Sequence, residues 1–112
     1  MEMALGMSQA EANDSGYRGT DQGKQMKTTY GWCCGGGSNG TNSSGFSGLP
    51  GGYRLSNGPF TNTGSDGIWW SSSPNGSGAW SRSLTTFGPV SDVVRRDSYG
   101  QSYGYSVRCI QD

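Results

Sequence analysis

The chain has 112 residues, with eight basic and eight acidic side chains, no histidine, three cysteines and 21 glycines. This length holds one small domain, and the balanced charge leaves no electrostatic footprint for nucleic acid. The lack of histidine removes Ser-His-Asp triads, Cys-His pairs and histidine metal sites.

Residues 1–12 are the only stretch with helical character: Met3, Leu5, Met7, Ala10 and Ala12 favour a helix, and Gly6 weakens its middle. Ser8 and Glu11 match the Ser-x-x-Glu capping box, so a helical turn is expected to restart at Ser8 and to stop by Gly16. Glu2 and Glu11 flank this stretch and no basic region precedes it, which is unlike a signal peptide. A second short helix is expected from Thr20 through Lys27. Residues 35–44, rich in Gly, Asn and Ser, read as a surface loop.

Short apolar or aromatic segments follow at 46–49, 52–55, 68–72, 79–84, 90–95 and 103–110. Turn dipeptides such as Asn57-Gly58, Asp66-Gly67, Asn75-Gly76 and Gly88-Pro89 separate them. The last segment alternates, with Tyr103, Tyr105, Val107 and Cys109 on one face and Ser106 and Arg108 on the other. Such spacing predicts an antiparallel sheet, and the whole reads as one α+β domain over residues 1–112 with short N-terminal helices. No apolar run approaches the roughly 20 residues that a membrane span needs. Three Phe, four Trp and six Tyr must supply the core of a chain that is only 30% hydrophobic.

Three segments carry a family resemblance. GFSGLPGGYR at 45–54 resembles the GFSALPGGYR signature of the Fibrobacter succinogenes major paralogous domain. GIWWSS at 67–72 is similar to that family's GYWWSS, and SYGYSVRCI at 102–110 to its closing SYGFSVRCV. RGTDQG at 18–23 and GTN at 40–42 also fall where the family has similar residues. The resemblance implies a C-type-lectin-like fold, distantly similar to formylglycine-generating enzymes, in proteins of the bacterial cell surface. It implies little about function. Family domains also carry an upstream segment of the type Cys-Pro-x-Gly-Trp-His-Leu-Pro, missing here, so the chain reads as a fragment or as a naturally short domain.

In the family, the cysteine matching Cys109 is expected to pair with the missing upstream one. Here its available partners are Cys33 or Cys34, and either bridge would staple the Gly-rich loop to the sheet. Unpaired thiols are the alternative, since three cysteines without a CxxC spacing make a poor zinc motif. Formylglycine-generating relatives use a cysteine pair and copper, but Cys33 and Cys34 sit beside a glycine run and read as loop staples.

Trp69 and Trp70 are consecutive, so in a strand they face opposite ways. In the family pattern Trp70 is the buried one, which leaves Trp69 under a loop or exposed for stacking. Trp80 and Arg82 share a face by period two, and with Tyr99 and Tyr103 they would pair aromatic platforms with a planar polar group, as sugar sites do. The competing reading makes the same rings the core of an aliphatic-poor domain. Asn57, Asn62, Asp66, Asp92 and Asp97 offer oxygen ligands for a structural calcium, but no Glu-Pro-Asn or Gln-Pro-Asp sugar-selectivity motif is present. Arg95-Arg96 reads as a solvated strand end.

The expectation is therefore a non-enzymatic extracellular module, without cofactor or metal. It binds a glycan or protein ligand through Trp69, Trp80, Arg82, Tyr99 and Tyr103, with Cys33, Cys34 and Cys109 as its bridging set. The alternative is a self-assembling subunit, a homo-oligomer or filament, to which exposed strand edges, an odd cysteine count and a net charge of zero all lend themselves.

Overall fold

A computed structural model describes residues 1–109. The chain opens with a 3-10 turn, Glu2–Leu5, and helix α1, Gln9–Asn13. Ser8 caps α1 as its pattern predicts, its Oγ accepting from the Glu11 backbone N–H at 3.2 Å. Strand β1, Gly16–Arg18, leads to helix α2, Gln22–Met26, in the place expected of the second helix. Gly23 is needed there, because a Cβ would lie 2.3 Å from the Val93 carbonyl oxygen.

Strands β2, Tyr53–Arg54, and β3, Phe60–Thr61, make a small hairpin. Strands β4, Asp66–Asn75, β5, Gly78–Thr85, and β6, Val94–Gly100, form with β1 an antiparallel sheet in the order β1-β6-β5-β4. Asn75-Gly76 turns β4 into β5 as read, with Gly76 at φ 60°. Pro74 lacks an N–H for the ladder, and the register shifts between Trp70 and Pro74.

Three expected strands come out differently. The segment at 90–95 is a strand only from Val94 on, because Pro89 starts a 3-10 turn, Gly88–Val90, just upstream. The segment at 103–110 forms no continuous strand over its described residues. It crosses two edges instead: Gly104 bridges to Arg54 of β2 and Ser106 to Trp69 of β4. Its expected end, Ile110, lies outside the described residues. The segment at 46–49 contributes only a bridge from Gly48 to Lys27.

The helices cover one face of the sheet. Met26, Trp32, Leu84 and Val94 are buried together there, with Leu5, Phe46 and Trp69 packed against them. Burial of each such side chain stabilises by about 1.5–3 kcal/mol, so this small cluster carries much of the fold. Beside it, the fully buried Lys27 donates from Nζ to the carbonyls of Thr85 and Ser91 and sits 4.9 Å from the Trp32 ring centroid. It thereby ties the end of α2 to the far end of β5. Trp32 donates from Nε1 to Thr28 Oγ1 and to the Gly48 carbonyl, both at 3.1 Å, and so pins the long loop over the core.

Candidate functional site

Strand alternation sorts the sheet residues onto two faces. The register sets Ile68 opposite Ser83, Ser83 opposite Arg95, and Arg95 opposite Tyr17, a row that crosses all four strands on the face away from the helices. Tyr99 lies on the same face four residues beyond Arg95. The crossing segment after β6 adds Tyr103 and Tyr105, and β2 adds Tyr53.

These residues enclose a cavity of about 450 Å³. Tyr17, Tyr53, Tyr99, Tyr103 and Tyr105 line it, together with Arg95, Asp66 and Cys34. Tyr105 is the hub of the rings: its centroid lies 4.3 Å from Trp70, 5.8 Å from Tyr103, 5.9 Å from Tyr53 and 6.0 Å from Tyr99. Such edge and tilted contacts favour one another through their quadrupoles and hold the platform in shape. All five rings of this group remain half-buried.

The charged groups of the cavity are restrained. Arg95 donates from Nη2 to Asp97 Oδ2 at 2.6 Å, and its guanidinium lies 5.3 Å from the Tyr17 ring and 5.9 Å from that of Tyr99. Asp66 Oδ2 accepts from Asn62 Nδ2 at 2.7 Å. Among the described lining residues the charges are one guanidinium and one carboxylate, so the cavity is neutral overall. Burial raises the pKa of the Tyr99 hydroxyl, and burial with its tyrosine neighbours raises that of Tyr105. Both stay protonated, and able to donate, throughout the neutral range.

The residues singled out in the sequence divide between the two faces. Tyr99 and Tyr103 line the cavity, their centroids 5.8 Å apart. Trp69, Trp80 and Arg82 lie on the helix-covered face and are not brought to that cavity. Trp69 packs edge-on against Phe46 at 5.3 Å and joins the core, whereas Trp70 turns to Tyr105. Trp69 thus takes the first of its two expected places, under the loop that carries Phe46, whereas Trp70, expected to be the buried one, is half-buried on the opposite face; the core lies under the helices, and the strand's phase points Trp69 at it. Arg82 donates from Nε to Glu2 Oε1 at 2.7 Å, and Arg18 donates to the same oxygen at 3.0 Å. Burial alone would push the Glu2 carboxyl up, but the hydrogen bonds and charges of these two arginines hold it below its ordinary value. Trp80 is stacked by Arg96 at 3.8 Å.

Arg95 and Arg96 therefore do not form one solvated end; they face opposite ways and each lies over an aromatic ring. Tyr17, Tyr53, Tyr105 and Arg95 are the cavity residues that sequence reasoning passed over as a site. For Tyr105 the signal was the alternation with Tyr103; for Tyr17 and Tyr53 no local pattern announces the shared cavity.

The cysteines also differ from expectation. Cys33 bonds Cys34, its immediate neighbour, and Cys109 is free and exposed. The staple from Cys109 to the Gly-rich loop does not form, because the Cys109 segment runs along the β2 and β4 edges while the cysteine pair is held at the end of β5. There Thr86 Oγ1 donates to the Cys33 carbonyl at 2.9 Å. Among the described residues, no three His, Cys, Asp or Glu side chains converge in a way that could hold a metal ion. Of the oxygen groups considered for calcium, Asp66 pairs with Asn62 and Asp97 with Arg95.

Residues 1–111 match the Fibrobacter succinogenes major domain, and the chain belongs to this family. No curated protein and no solved structure matches the chain.

Proposed function

We propose that this member of the Fibrobacter succinogenes major domain family is a non-enzymatic recognition module of the bacterial cell surface, with a C-type-lectin-like fold, that binds a neutral glycan in the tyrosine cavity. The single observation carrying the reading is the cavity itself: about 450 Å³, walled by five tyrosines, with one guanidinium and one carboxylate that cancel. Pyranose rings present apolar C–H faces and hydroxyl rims. Tyrosine offers both a flat apolar face and a hydroxyl, and Arg95 and Asp66 add a fixed donor and a fixed acceptor. A small sheet holding variable loops is a scaffold suited to this task. Screening against an immobilised panel of neutral and acidic oligosaccharides, with and without a calcium chelator, tests it. The reading requires chelator-insensitive binding to neutral members; binding to none of them contradicts it.

A second reading, self-association, draws on exposed apolar residues: Phe60 is 80% and Val107 74% exposed, and Phe87 and Leu49 are also open. Light scattering behind size-exclusion chromatography separates the two, because a stable oligomer that persists on dilution belongs only to the second.

A further inference from the structure

The Cys33–Cys34 bridge cross-links nothing. A disulfide stabilises chiefly by closing a loop in the unfolded chain, and a bond between neighbours encloses no intervening residue. Its surroundings are held without it. Cys33 N–H donates to the Gly64 carbonyl at 2.8 Å, Gly37 N–H to that of Thr86 at 2.7 Å, and Gly88 N–H to that of Gly35 at 3.0 Å. Gly35 is seated so closely that a Cβ would lie 2.5 Å from Thr86 Oγ1.

Both cysteines are exposed, and Cys34 stands at φ 71°, in the left-handed region that non-glycine residues adopt only under constraint. A disulfide that is exposed and coupled to a strained backbone is of the labile rather than the structural kind. Cys34 also lines the tyrosine cavity, so a change at this bond changes the cavity wall.

We propose that Cys33–Cys34 is a redox-active disulfide, reduced and re-formed by small-molecule thiols while the domain stays folded. With dithiothreitol, one reductant sulfur attacks a bridge sulfur and expels the other as thiolate. The second reductant sulfur then displaces the mixed disulfide and closes the six-membered cyclic disulfide. Two electrons and the two thiol protons pass to Cys33 and Cys34. The inference stands on the bond and its anchors and does not depend on what the cavity binds.

The test uses the full chain carrying Cys109→Ser, which removes the other exposed thiol, alongside the unsubstituted protein. Iodoacetamide labelling under native conditions is read by intact mass, with circular dichroism and thermal unfolding in parallel. The expected result for the variant is no label before reduction and two labels after millimolar dithiothreitol. Far-ultraviolet signal is unchanged, the midpoint moves by less than about 4 °C, and oxidised glutathione restores the unlabelled state. The proposal is overturned by labelling that occurs only once the protein unfolds, by unfolding on reduction, by two labels before any reductant, or by a mapped bridge to Cys109 in the unsubstituted chain.

Discussion

On the helix-covered face of the sheet, Leu84 and Val94 are 1% and 0% exposed, and Glu2 holds Arg18 and Arg82 together. On the opposite face of the same strands, Trp70, Tyr99 and Tyr105 are only half-buried, and their rings surround open space. Both faces carry aromatic rings, so aromatic content alone does not distinguish them. The difference lies in what covers each: Leu5, Met26 of α2, and Trp32 and Phe46 of the long loop pack on the first, while the β2–β3 hairpin and the crossing segment after β6 only wall the second. One face holds the core and, beside it, a cavity of about 230 Å³ lined by Met26, Trp69, Arg82 and Leu84; the other keeps the tyrosine-walled cavity of about 450 Å³.

Substitutions should therefore separate stability from binding. The largest effect is expected from Leu84→Ala, which opens a cavity in the small core and should cost about 2–5 kcal/mol in urea unfolding. Glu2→Gln comes next, at about 1–3 kcal/mol, because it weakens the acceptor shared by Arg18 and Arg82. This second loss depends on pH. Glu2 has a folded pKa below its unfolded value of 4.5, so its contribution is present above pH 4.5 and disappears as pH falls through the folded value. Unfolding midpoints measured from pH 7 to pH 2 should show the unsubstituted protein and Glu2→Gln converging in acid. Tyr103→Ala should behave in the opposite way to Leu84→Ala. It should weaken oligosaccharide binding at least tenfold, about 1.4 kcal/mol, with a smaller change in urea midpoint than Leu84→Ala. The smallest effect belongs to Trp80→Leu, which removes the stacking under Arg96 and should cost about 0.5–1 kcal/mol of stability with no change in binding.

Much of this contrast is invisible in the linear sequence, for identifiable reasons. Local signals were legible: the Ser8 cap, the Asn75-Gly76 turn, and the fact that Trp69 and Trp70 face apart are all set by residues close in sequence. The family and the α+β character were legible from motifs spread along the chain. Which tryptophan faces the core was not, because strand phase says only that two neighbours diverge, and the helices decide which side becomes inside. Period two placed Trp80 and Arg82 on one face correctly, yet could not tell that Tyr99 belongs to the other. Tyr17 and Tyr53 join the cavity through pairings distant in sequence, Tyr17 by its register with Arg95 and Tyr53 by its ring contact with Tyr105. Cysteine pairing failed as a sequence inference for the same reason: the distance that decides it is set by how the last segment threads past β2 and β4.

The most direct measurement is a calorimetric titration with the neutral oligosaccharide that binds best, performed on three proteins: the unsubstituted chain, the double variant Tyr99→Ala/Tyr103→Ala, and the double variant Trp80→Leu/Arg82→Lys from the opposite face. Thermal unfolding is recorded for each. The cavity account predicts that the tyrosine variant stays folded and loses at least tenfold in affinity, while the helix-side variant binds like the parent. Equal affinity in the tyrosine variant, or a loss confined to the helix-side variant, contradicts it.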